Sequence, residues 1–135
     1  MAALTADRNT PLRERGIESH PVKGATTIHG GGLVALDATG QLVPGGVATG
    51  LIARGRADEK VVNDGADGAV RCKVRQGIFR WNNSAAADAI TRAEIGDLAY
   101  IVDDQTVAKT NGTNTRSAAG TIRDVDAQGV WVEPL

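Results

Sequence analysis

Two histidines and one cysteine are the side chains best suited to acid–base or nucleophilic work in this chain. An imidazole beside a thiolate, His29 with Cys72, would make the nucleophile–base pair of acyl-transfer chemistry. The residues around Cys72 argue against it. In the run A-V-R-C-K-V-R, Val70, Cys72 and Val74 alternate with Arg71, Lys73 and Arg75, the period-two pattern of a half-buried strand. Cys72 falls on the apolar side, where a free cysteine acts as a small hydrophobe. His20 stands before Pro21 and His29 before a glycine run, with no partner fixed by spacing.

Other fragments resemble catalytic or binding motifs only in part. H-G-G-G at residues 29–32 matches the oxyanion loop of esterases, but that loop works with a G-x-S-x-G nucleophile elbow, which the chain lacks. G-L-I-A-R-G-R-A-D-E-K departs from the G-x-x-x-x-G-K-[ST] phosphate loop, and no strong helix follows it. Asp103 and Asp104 are adjacent, so on a strand they point to opposite faces; turn chemistry explains them better than a metal. One cysteine excludes an intrachain disulfide and the paired-cysteine metal patterns. The expectation is therefore no catalytic residue, no cofactor, no metal and no small-molecule substrate.

Composition narrows the partners. Fifteen basic and sixteen acidic residues give a net charge of −1, so no strong field draws nucleic acid or an anionic membrane. No apolar run reaches the length of a membrane span, and no signal-peptide apolar region opens the chain. Synthesis in the cytosol is expected. Aromatic residues are limited to Phe79, Trp81, Tyr100 and Trp131, so the core must be built from Val, Ile, Leu and Ala. Trp131 reads as a core anchor or an interface anchor.

Seventeen glycines in 135 residues punctuate many short apolar pieces. Strands are expected at residues 25–29, 33–36, 41–43, 50–54, 60–63, 98–102, 106–109, 120–125 and 130–132, with the alternating run from Val70 broken at Gly77, a candidate bulge. Residues 86–95 hold the one short helix, ended by Gly96. Eight to ten short strands at even spacing predict a mainly β domain, a compact sandwich or a small barrel of jelly-roll type.

Residues 1–22 read as an extended N-terminal arm ahead of a single β domain at 23–135. The arm is charged, broken by Pro11 and without apolar period; Leu4, Leu12, Ile17 and Val22 are its larger aliphatic residues. Fixing about twenty residues costs roughly 20–40 kcal/mol in backbone entropy. Offsetting that by apolar burial alone would need roughly 800–1,600 Å². The arm is therefore disordered when free, or extended against a partner that completes its backbone hydrogen bonds. The residue before Pro11 avoids the helical region, which favours extension.

A-L-T-A-D-R-N-T-P-L-R near the start, K-V-R-Q-G-I-F-R-W-N-N-S at residues 73–84, and I-T-R-A-E-I-G-D-L-A-Y-I-V-D-D-Q-T-V-A-K-T at residues 90–110 together resemble the capsid decoration (cement) proteins of tailed bacteriophages. The likeness runs in order from Leu4 to about Lys109. It implies a virion protein on the outer capsid surface, made in the host cytoplasm, whose β domain bridges neighbouring major capsid subunits as a homodimer or homotrimer. The expected contacts are Leu4, Thr5, Arg8, Asn9, Thr10, Pro11, Leu12, Arg13 and Arg15 of the arm, then Arg71, Lys73 and Arg75, which with Arg80 would form a basic strand face. Two other classes stay open: a small oligomeric β-barrel nucleotide hydrolase, whose phosphate-holding glycine motifs and catalytic aspartate are not found, and a tail or host-surface binding module.

Overall fold

A computed structural model describes residues 2–135; Met1, the first residue of the expected arm, lies outside the described residues. Twelve strands follow in order: β1 (Ile17–Pro21), β2 (Thr26–Ile28), β3 (Leu33–Leu36), β4 (Leu42–Pro44), β5 (Ile52–Ala57), β6 (Val61–Asn63), β7 (Arg71–Arg75), β8 (Phe79–Trp81), β9 (Leu98–Ile101), β10 (Val107–Ala108), β11 (Ala118–Asp126) and β12 (Gly129–Glu133). They form two antiparallel five-stranded sheets, ordered β1-β7-β5-β3-β4 and β10-β9-β11-β12-β8, with β2 and β6 as a separate pair. The fold is mainly β and sandwich-like, and neither sheet closes into a barrel. Single parallel bridges, Val22 to Leu42 and Asn82 to Thr106, draw the two edges of each sheet towards one another.

The two sheets share an apolar interior through β3 and β5. Leu33, Ala35 and Ala53 join Trp81, Ile101, Val107, Ile122, Val130 and Val132 in one cluster. Val34, between Leu33 and Ala35, joins Val22, Ile28, Leu42, Ala57, Cys72 and Val74 in a second cluster. Strand alternation thus sends neighbouring residues of one strand into different cores. Because both faces of β3 are covered, it reads as an unbroken apolar run.

Three register shifts interrupt the pairings. One falls on the β3–β5 pairing, where Val34 is paired with Gly55 and Ala35 with Ala53. The second falls on the β9–β11 pairing between Ala118 and Gly120, and the third on the β11–β12 pairing between Ile122 and Asp124. Gly55 (φ 139°) and Gly120 (φ 147°) have positive φ, and a Cβ on either would overlap a backbone carbonyl of the adjacent strand, that of Arg75 or Glu133. Only glycine fits there.

Three expectations are corrected. The short helix at 86–95 is not α-helical: it is two single 3₁₀ turns, Ala86–Asp88 and Arg92–Glu94. Each is one turn long, and Thr91 and Glu94 close a capping box around the second. The run from Val70 does not bulge at Gly77; the chain crosses there from β7 in one sheet to β8 in the other. The arm drawn at 1–22 also loses its last six residues to the domain. Ile17 to Pro21 pair with β7, from Ile17 opposite Arg75 to Pro21 opposite Arg71, and Val22 is fully buried. Glu18, Ser19 and His20 hid this strand, because a sheet edge tolerates polar side chains that interrupt the apolar alternation.

Candidate functional site

Every residue from Ala2 to Arg15 is exposed. Among its described residues the arm has one internal backbone hydrogen bond, Thr10 N–H to Arg8 O at 3.1 Å, and meets the domain where Gln76 N–H donates to Gly16 O at 2.7 Å. Leu4 is 72% and Leu12 83% exposed. Among the described residues, Arg8, Arg13 and Arg15 make no side-chain hydrogen bond or ion pair with the domain. The structure therefore keeps Leu4, Thr5, Arg8, Asn9, Thr10, Pro11, Leu12, Arg13 and Arg15 together on one segment, of which Arg15 borders a pocket with Gln76, Glu133 and Pro134 of the domain.

The β7 residues alternate as the sequence predicts. Arg71, Lys73 and Arg75 are exposed, while Cys72 and Val74 are buried. The face is less bare than three cations in a row imply. Arg71 donates to Ser19 Oγ at 3.0 Å and to Ser19 O at 2.6 Å. Arg75 and Arg56 both reach the Asp58 carboxylate, each at 3.0 Å. Those guanidinium groups, Arg75 first, hold the Asp58 carboxyl below its ordinary value. Arg80 does not extend this face: it lies on β8 in the other sheet.

The residues considered for catalysis do not converge. Cys72 is fully buried, and burial, reinforced by Glu59 and Asp58, pushes its thiol up to about 11, so it is protonated and a poor nucleophile at neutral pH. His29 is exposed. His20 Nε2 lies 3.2 Å from Glu18 Oε1, and Glu18 also accepts a bidentate pair from Arg54, at 2.6 and 2.9 Å. This cluster ties β1 to β5. In the H-G-G-G segment, Gly31 N–H donates to Ala57 O at 2.8 Å and Gly32 N–H to His29 O at 3.1 Å, which leaves neither amide free for an oxyanion. Asp103 Oδ1 accepts from Gln105 N–H at 2.9 Å, as turn chemistry predicts. Among the described residues no three His, Cys, Asp or Glu side chains gather as metal ligands do.

One cluster was not legible in the sequence. Arg56, Ile78, Phe79, Arg80, Trp81 and Trp131 border a shallow open groove beside β8. The β8–β12 pairing sets Arg80 directly opposite Trp131, about fifty residues away in the chain, while Phe79 and Trp81, opposite Val132 and Val130, point to the other face. The alternation I-F-R-W and the scarcity of aromatics were the available signals; the cross-strand register was not among them. Trp131 is only half-buried, and its Nε1–H donates to Asp126 Oδ2 at 2.9 Å.

Compared with protein-family models, with curated proteins and with solved structures, the chain matches none.

Proposed function

We propose that this chain is a structural, non-catalytic virion protein that binds the outer surface of an expanded tailed-phage capsid and bridges neighbouring major capsid subunits. The observation that carries the reading is the arm: residues 2–15 are wholly exposed, with two bare leucines and three arginines unengaged by the domain. Such a segment gains order only from another chain, through backbone pairing, leucine burial and bidentate arginine–carboxylate contacts. The resemblance of the arm, of residues 73–84 and of residues 90–110 to decoration proteins supports the same partner.

The mechanism is differential binding. A protein that binds the expanded lattice and not its precursor stabilises the expanded state by mass action, and many modest contacts repeated over a shell add through multivalency. A homodimer or homotrimer would place several arms on the lattice, with closed symmetry matching a local axis. Arg8, Asn9, Pro11, Leu12 and Arg13 are the leading contact residues, with Arg71, Lys73 and Arg75 second. No nucleic acid, membrane or small molecule is required.

The test is imaging of virions labelled with antibody against this protein, with co-sedimentation of the full chain and of a chain lacking residues 2–16 on expanded shells. Label over the whole head, and shell binding lost on truncation, are the expected results. Label at the tail tip, or unchanged shell binding by the truncated chain, overturns the proposal.

A further inference from the structure

The loop between β10 and β11 contains a dipeptide with its own chemistry. Asn111 is the only one of the six asparagines in the chain that is followed by glycine. Gly112 has φ 64° and precedes two further left-handed residues, Thr113 (φ 59°) and Asn114 (φ 62°), a conformation that costs free energy at any residue with a Cβ and most at a β-branched one. A Cβ on Gly112 would lie 2.6 Å from Thr115 Oγ1 and 3.1 Å from Arg116 Nε, so the turn demands glycine there. Thr113, Asn114 and Thr115 are exposed, and Asn111 and Gly112 are half-buried. Water therefore reaches the loop.

An asparagine loses its amide when the peptide nitrogen of the next residue gives up its proton and attacks Cγ. The groups around Asn111 and Gly112 suit each part of that step. Gly112 N–H donates to Thr110 Oγ1 at 3.4 Å. The Thr110 hydroxyl donates in turn to Asp88, so its oxygen faces Gly112 as an acceptor. Thr110, and then Arg116, hold the Asp88 carboxyl below its ordinary value, which keeps it ionised at neutral pH. Arg116 donates Nη1–H to Asp88 at 3.2 Å, while its Nε is buried without a partner among the described residues. That Nε lies against Gly112, where the positive charge favours a deprotonated nitrogen. Asn114 N–H donates to Asn111 Oδ1 at 3.1 Å, the oxygen that becomes negative as Cγ is attacked. The departing nitrogen, Asn111 Nδ2, is placed by Asn114 Oδ1 at 3.0 Å.

We propose that Asn111 is a self-modification site, at which the folded chain converts its own asparagine to aspartate and isoaspartate with Thr110 as the first proton acceptor. The bond from Gly112 N to Asn111 Cγ forms and the Cγ–Nδ2 bond breaks. The proton lost by Gly112 leaves on the amide nitrogen, so ammonia departs and a five-membered imide remains. Water then adds to either imide carbonyl. One opening gives aspartate; the other gives isoaspartate, in which the main chain runs through the former side-chain carbon. No oxidant, cofactor or second protein takes part. Each product carries a new carboxylate, and isoaspartate also adds a main-chain atom, which releases the left-handed run. The change falls on the connection into β11, the middle strand of its sheet, and it runs in one direction with time.

The experiment is incubation of the full chain, folded in mildly alkaline buffer and unfolded in urea, with peptide mapping by mass spectrometry and isoaspartate detection over time. Conversion in the folded chain is expected at Asn111 ahead of the other five asparagines. It should be slowed at least about tenfold in Thr110→Ala and restored in Thr110→Ser, which keeps the hydroxyl. In urea the three chains should convert alike, because the Thr110 contact exists only in the fold. Circular dichroism of each variant is recorded alongside, and Thr110→Ser keeps the test open if Thr110→Ala is misfolded. Asn111 intact in the folded chain while it converts in urea, earlier conversion at another asparagine, or equal rates in folded parent and Thr110→Ala overturns the proposal. The capsid reading is tested through the arm, so the two can fail separately.

Discussion

Leu12 and Leu33 are the same residue type in two regions of one chain, with opposite fates. Leu12 is 83% exposed on the arm, while Leu33 is 2% exposed between the sheets. The domain has two apolar clusters and a continuous set of strand pairings around them; among its described residues the arm has one internal backbone hydrogen bond. Ordering sixteen arm residues costs about 16–32 kcal/mol, and burying its two leucines returns only about 3–6 kcal/mol. The difference teaches where each region's free energy must come from. The domain supplies its own; on the proposed reading, the arm would draw on the backbone hydrogen bonds and charges of a partner.

Four measurements can break or sharpen that contrast. Trp81→Ala should have the largest effect, because it empties a buried aromatic site where β8, β12 and the shared core meet; a loss of about 3–5 kcal/mol is expected by urea unfolding. Asn63→Ala comes next. Its buried amide donates to Val22 O and Ala66 O, each at 2.9 Å, and accepts from Gly65 N–H at 2.9 Å. Leaving those groups unpaired should cost about 1–3 kcal/mol in the same assay.

The third is a pH effect. Hydrogen bonds from the Thr91 hydroxyl, the Lys109 ammonium and the Thr91 amide hold the Glu94 carboxyl at about 2, against an ordinary 4.5. A depressed folded-state value means the stabilisation is complete above about 4.5 and is lost as the pH falls towards about 2. The melting temperature should therefore drop across that window, and the drop should be smaller in Glu94→Gln. An equal drop in the variant would remove Glu94 from the account.

Deleting residues 2–16 should have the smallest effect on the domain, below about 0.5 kcal/mol by urea unfolding. A larger loss would mean that the arm stabilises its own domain, and the contrast between the regions would fail.

The strands were legible where apolar alternation was strong. Arg71 to Arg75 has the predicted alternation of exposed and buried side chains, and Leu33 to Leu36 is a strand as expected. The strand at Ile17–Pro21 was not legible, because Glu18, Ser19 and His20 interrupt its apolar pattern and its evidence lies fifty residues away in β7. Phe79–Trp81 was visible as an apolar-aromatic run, but not as a strand of the opposite sheet. Local pattern cannot say which sheet a three-residue strand joins, since pairing depends on partners distant in the chain. Arg80 was misplaced for the same reason: spacing put it in line with Arg71, Lys73 and Arg75, and the crossing at Gly77 moved it to a different face.

By itself the sequence determined a mainly β domain built from small aliphatic residues, a cysteine on an apolar strand face, and an N-terminal stretch unable to form a core. Those follow from composition and period, which are local properties. Only the tertiary structure decided where the arm ends, which sheet each short strand joins, and that Arg80 stands over Trp131. These are matters of register between distant segments, settled by which pairings bury the apolar faces and satisfy the backbone together.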